Sequence, residues 1–215
     1  MMNRRQVLKN LGLGAGYMVA APSVFSLLQS CKNEPGFEWE PVFLTPANGY
    51  ALQQILEVII PKTDTPGATD VNIAQFIDAY LNEVADEKEQ DDFKAGANAF
   101  AINFKSNLNK SVEDGDPEDF EKAVKMYLGA EPEQREDFVK RLSATQDPEA
   151  PEETEVDTEA TSYGYLDNVR NRAIWAWKNS EEVGENVLWY DPVPGTLIGC
   201  MEIGENGNNG KTMSL

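Results

Sequence analysis

The sequence predicts an all-α fold: a bundle of five to six helices followed by a long irregular carboxy-terminal arm. Three observations predict it. Apolar residues recur every three to four positions in several separate segments. Proline, glycine, threonine and aspartate mark where those segments start and stop. No segment alternates apolar and polar residues strongly enough to build a sheet. There is also no internal repeat, and no GxGxxG or phosphate-loop pattern.

The first helix is signalled by Thr45 as N-cap and Pro46 at the first helical position. Leu52, Ile55, Leu56 and Ile59 give it an apolar face, and Pro61 stops it. Lys62-Thr63-Asp64-Thr65-Pro66-Gly67-Ala68 then reads as a dense turn. A second helix is expected from about Asn72 to Val84, with Ile73, Phe76, Ile77, Tyr80, Leu81 and Val84 as one apolar stripe. A third spans about Glu87 to Leu108 and carries Phe93, Ala97, Phe100, Phe104 and Leu108 on its inner face. Asp116-Pro117-Glu118-Asp119 opens a fourth, because acidic residues and a proline suit a first turn. Phe120, Val124 and Leu128 form its buried side. Pro132 opens a short fifth helix with Phe138 and Leu142. A sixth is expected from about Thr161 to Lys178, with Leu166, Val169, Ala173 and Trp177 on one stripe and Trp175 off it.

Two segments fall outside this pattern. From Asp147 to Glu159, seven of thirteen residues are acidic and none is basic, and Pro148 and Pro151 interrupt the run. Residues 147–160 are therefore expected to form a solvated acidic loop. Calcium would find oxygen ligands there, but the regular spacing and the glycine of a calcium loop are absent. The second segment is the arm, residues 180–215, which is rich in glycine and proline yet still holds Val187, Leu188, Trp189, Tyr190, Val193, Leu197 and Ile198. Apolar residues in an irregular segment must pack on this domain or on another protein.

Charge and composition narrow the function. The chain has 215 residues, 18 basic, 37 acidic and no histidine. Without histidine, serine–histidine and cysteine–histidine catalysis within the chain are excluded. Zinc, copper and haem sites lose their commonest ligand. The acidic balance repels phosphate backbones and anionic headgroups, so nucleic acid is not an expected partner.

The amino terminus reads as an export address. Arg4 and Arg5 precede Val7, Leu8 and Lys9, and residues 11–28 carry no charge. That run is short and interrupted by Gly12, Gly14, Gly16 and Pro22, which suits a cleaved signal better than a membrane span. Leu28-Gln29-Ser30-Cys31 ends it like a lipobox, making Cys31 the expected lipid-attachment residue. The expected organisation is a twin-arginine lipoprotein signal over residues 1–30, a tether over 31–44 and a single helical domain over 45–215. Loss of the signal would leave 15 basic against 37 acidic residues, a net charge of −22. The expected location is the periplasmic side or the cell surface, with attachment through lipid rather than a basic patch. With Cys31 acylated, Cys200 is an odd cysteine in an oxidising compartment. It either bridges to a partner or is buried as an inert thiol.

Two stretches resemble the gluconate 2-dehydrogenase subunit 3 family. One is Leu56-Glu57-Val58-Ile59-Ile60-Pro61-Lys62-Thr63-Asp64-Thr65-Pro66-Gly67-Ala68. The other is Val183-Gly184-Glu185-Asn186 with Tyr190-Asp191-Pro192-Val193-Pro194-Gly195 and Cys200. The acidic run from Asp147 to Glu159 has no match in this resemblance. The resemblance implies a small, mostly helical, non-catalytic subunit of a membrane-associated flavin dehydrogenase that oxidises sugars or sugar acids. It implies FAD in a separate catalytic subunit, a cytochrome c subunit as a possible third member, and a role in maturation and export of the catalytic subunit. The twin-arginine signal fits, since that route carries folded, cofactor-loaded proteins and this chain has no cofactor motif of its own.

No residue of the chain is expected to be catalytic, to bind a cofactor or to hold a metal. Asp64 and Asp70 could do paired-carboxylate work, but turn and cap chemistry explains them better. Lys62 could meet a carboxylate or a partner. Trp189, Tyr190, Asp191, Pro192, Pro194, Gly195 and Cys200 form the expected partner interface, because aromatics favour interface cores and prolines stiffen the backbone. Alternatively, Trp189 and Tyr190 cover the domain's own helices. The competing function is a stand-alone surface lipoprotein that binds carbohydrate or calcium.

Overall fold

A computed structural model describes residues 39–145 and 156–189. Six α-helices follow one another: α1 (Pro46–Ile59), α2 (Ile73–Glu83), α3 (Glu87–Leu108), α4 (Pro117–Leu128), α5 (Pro132–Thr145) and α6 (Thr158–Lys178). A short 3₁₀ turn, Val112–Asp114, precedes α4, and a π-turn, Val183–Val187, follows α6. No strand occurs among the described residues, so the fold is all-α as expected.

Local chemistry sets the helix starts. The Thr45 side chain accepts from Asn48 N–H, and Pro46 takes the first position of α1. Asp86 does the same for α3, accepting from Glu89 N–H at 2.8 Å, and Asn109 in left-handed backbone (φ 56°) ends that helix. Asp116 and Asp119 form a reciprocal capping box at α4. Lys110 bridges both carboxylates, at 3.2 and 2.5 Å.

Helices α3 and α6 make the most extensive pairing, with α5 against α6 and α1 against α4 and α2. Gly96 allows the central pair to approach: a Cβ there would lie 2.7 Å from Tyr165 Cβ. Phe93 meets Tyr165 edge-on at 5.1 Å, and Phe104 meets Phe120 at 4.8 Å. Leu52, Ile55, Ile77, Leu81, Leu166 and Val169 complete a fully buried centre. A polar knot joins α3 to the start of α6. Asn103 Nδ2 donates to Thr158 O (2.8 Å) and Ser162 Oγ (2.9 Å), and Ser162 Oγ donates to Thr158 O (2.7 Å).

A buried carboxylate fastens the chain that leads into α1. Asp78, on α2, accepts from three successive backbone amides: Val42 at 2.6 Å, Phe43 at 3.2 Å and Leu44 at 2.8 Å. Trp39 and Phe43 tuck onto the domain. Trp39 Nε1 donates to Gln53 Oε1 at 3.2 Å, and Lys94 Nζ sits 4.4 Å from the centre of the Phe43 ring.

Three expectations need correction. First, α6 begins at Thr158, not Thr161, because Asp157 caps it and accepts from Ala160 N–H at 3.0 Å. Asp157 and Glu159 are therefore helix-start residues rather than loop, and Arg141 holds both, at 2.6 and 3.4 Å. Residues 147–155 of the acidic run lie outside the described residues. Second, α5 is 14 residues long rather than short. Arg141 pairs with Asp137 one turn earlier, and Phe138 stacks on Tyr163 at 5.2 Å. Third, the α2 stripe is two rows. Ile73, Ile77 and Leu81 are buried, whereas Phe76 and Val84 are exposed and Tyr80 is half-buried. Six large apolar residues within the twelve positions Ile73 to Val84 make a face wider than the core can cover.

Asp78→Ala leaves three amides without their acceptor and is expected to lower unfolding free energy by about 2–4 kcal/mol. Urea unfolding of the purified chain measures this. A loss below about 0.5 kcal/mol, the scale of an ordinary surface change, would mean that the carboxylate does not hold the lead-in segment.

Candidate functional site

The turn after α1 is built by close backbone contacts. Ile60 N–H closes the helix on Leu56 O at 2.8 Å, and Ala68 N–H returns to Ile60 O at 2.9 Å. Between them the chain doubles back so tightly that a Cβ on Gly67 would lie 2.7 Å from Lys62 N. Asp70 locks the turn, accepting from Lys62 Nζ at 2.7 Å and from Gly67 N–H at 2.9 Å. Thr69 N–H reaches back to Glu57 Oε1 at 2.9 Å. Trp177, near the end of α6, donates its indole N–H to Pro66 O at 2.8 Å. The turn thus joins the end of the first helix to the end of the last.

This geometry does turn chemistry. The hydrogen bond from Lys62, then that from Gly67, holds the Asp70 carboxyl below its usual range. The hydrogen bond to Asp70 raises the Lys62 ammonium above its own. Neither group exchanges a proton near neutral pH. Asp64 stands exposed on the turn.

Trp189 follows the π-turn and is half-buried, and Val183 at the start of that turn is fully buried. Tyr190, Asp191, Pro192, Pro194, Gly195 and Cys200 lie outside the described residues, as do Arg4, Arg5 and Cys31. Among the described residues, no group of three or more cysteine, aspartate or glutamate side chains is placed to hold a metal ion. No helix among them is long and apolar enough to cross a membrane.

A second feature was not anticipated from the sequence. Phe76 on α2 and Trp175 on α6 are 42% and 56% exposed, and their rings pack at 5.8 Å. Tyr80 lies 6.4 Å from Phe76, one turn along α2. Arg172 lies over the Tyr80 ring at 5.0 Å and is ion-paired with Glu89. Phe76, Ile77, Tyr80, Asn171, Arg172 and Trp175 enclose a pocket of about 270 Å³. The available signals were Trp175 off its helix's apolar stripe and an apolar face of α2 too wide for one core.

The pairing of Lys62 with Asp70 has a pH signature. The depressed Asp70 pKa contributes stability above the unfolded value of about 4, lost as pH falls through the folded pKa. The raised Lys62 pKa contributes below about 10.4, lost as pH rises through its folded value. Asp70→Asn should therefore lower the urea midpoint at pH 7, and the difference from the wild type should shrink as pH falls below the usual carboxylate range. Equal midpoints at pH 7 would show that the clasp contributes nothing.

Among known protein families, the gluconate 2-dehydrogenase subunit 3 model matches residues 46–195, from the first residue of α1 to beyond Trp189. No curated protein and no solved structure matches the chain. The match covers more than half of the sequence and includes the clasped turn, the π-turn and every residue of the aromatic pocket. The chain belongs to the gluconate 2-dehydrogenase subunit 3 family.

Proposed function

We propose that this chain is a non-catalytic accessory subunit of an exported, flavin-dependent sugar or alcohol dehydrogenase of the gluconate-oxidising type. Its family membership over residues 46–195 carries the reading, because the family is defined as one subunit of a dehydrogenase complex. The residues support the non-catalytic part. The chain has no histidine, and the Asp70 carboxylate and Lys62 ammonium of the signature turn are spent on each other.

In this reading the flavin resides in the catalytic subunit, and a cytochrome c subunit is a possible further member of the complex. The small subunit supports folding of the flavoprotein and escorts it through the twin-arginine route with the signal that begins at Arg4 and Arg5. Acylation at Cys31 tethers the pair to the membrane on the periplasmic side or at the cell surface. The segment from Trp189 to Gly195 contributes to the interface together with Cys200, which is either bridged to the catalytic subunit or a free thiol.

Pull-down of the tagged full chain from gently solubilised membranes tests this. The expected catch is a large protein with flavin absorbance and dye-linked sugar oxidation, and its release by reducing agent would assign Cys200 to the bridge. A colourless chain recovered alone would contradict the subunit reading and favour a stand-alone lipoprotein.

A further inference from the structure

The outward face of α2 and α6 is a built surface. Phe76 and Tyr80 lie one turn apart on α2, on the row beside buried Ile73, Ile77 and Leu81, and Val84 follows the helix as its C-cap. Val84 is 67% exposed, and Trp175 from α6 packs against Phe76. Phe76, Tyr80 and Trp175, whose rings pack on one another, make a contiguous aromatic cluster, which monomeric surfaces seldom leave bare without use.

The patch is also held in place. Arg172 is fixed by Glu89, by the Tyr80 ring and by Asn168 Oδ1, to which its Nε donates at 2.7 Å. Asn171 Nδ2 donates to Asp167 Oδ2 at 3.0 Å, and Asp167 pairs with Arg170. A surface ordered before binding loses little side-chain entropy on docking. Tryptophan, tyrosine and arginine are the residues that most often dominate binding energy. At about 270 Å³ the pocket lies below the roughly 300–1,000 Å³ of small-molecule sites, and it suits one large side chain from a protein.

Charge selects among proteins. The chain as a whole carries 37 acidic against 18 basic residues, while beside the pocket Glu89 is paired with Arg172 and Asp167 with Arg170. A second copy would bring the same net negative charge as the first. A complementary partner brings an apolar anchor within a basic rim. We infer that this face of α2 and α6 is where the dehydrogenase catalytic subunit docks, placing one large apolar side chain between Phe76, Tyr80 and Trp175 and a cationic rim around it. The inference rests on the subunit reading above and adds where the contact is made and what it is made of.

The test uses full-length tagged chains in the native host: wild type, Trp175→Ala, Phe76→Lys, and Val139→Lys as a control at a half-exposed position on α5. Flavin absorbance and dye-linked sugar oxidation per tagged chain are measured after pull-down, and thermal unfolding is measured on each purified chain. Trp175→Ala and Phe76→Lys should each recover at least tenfold less flavoprotein than wild type, and Val139→Lys the wild-type amount. All four should unfold within a few degrees of one another. Wild-type recovery with both patch variants, or equal loss with the control, would overturn the docking assignment and leave the subunit reading standing. No flavoprotein with the wild type would remove the subunit reading itself. A wild-type dimer in sedimentation that Trp175→Ala splits would give the face to a second copy and overturn the assignment.

Discussion

Asp78 is the constraint on which much of this domain depends. It is a buried carboxylate, and burying a charge is tolerable only when its hydrogen bonds are made. The amides of Val42, Phe43 and Leu44 supply them. This requirement fixes the rotation of α2 about its own axis. Asp78 must face the lead-in segment while Ile73, Ile77 and Leu81 face the core, so Phe76, Tyr80 and Val84 have nowhere to point but outward. One polar residue thus orders the chain ahead of α1 and exposes an aromatic row.

A second set of contacts closes the bundle from its other end. The turn after α1 is tight because Gly67 admits the backbone of Lys62, and it is tied down by Asp70, Glu57 and Trp177. Exposed ion pairs add little each. Here the Lys62–Asp70 pair works together with two backbone hydrogen bonds and an indole donor across 111 positions of sequence. The signature residues therefore read as architecture. They bring the ends of α1 and α6 together, and α6 is the helix that carries Trp175.

Much of the fold was legible because its helix boundaries are written in local chemistry. Thr45, Asp86 and Asp116 cap the helices they precede, and the inward faces of α3 and α4 follow the periodicity. The start of α6 was missed because Asp157 sits in an acidic run. Only the fold brings Arg141 to it, from sixteen residues earlier. The aromatic pocket was missed for a related reason. Periodicity reports that Phe76, Tyr80 and Val84 are apolar, but not which row meets the core. Asp78 decides that through contacts 34–36 residues away, which no local pattern encodes. The family signature was readable in the turn, whereas its physical role needed Trp177, far along the chain.

The central claim is that a rigid aromatic face, set outward by the buried Asp78, meets the flavoprotein. Hydroxyl-radical footprinting of the full chain, alone and in the membrane-derived complex, addresses it most directly. Oxidation of Phe76, Tyr80 and Trp175 should fall several-fold in the complex, while Ile102 and Val139, exposed elsewhere, keep their rates. Unchanged oxidation of the three aromatics in a complex that retains its flavin would contradict the claim.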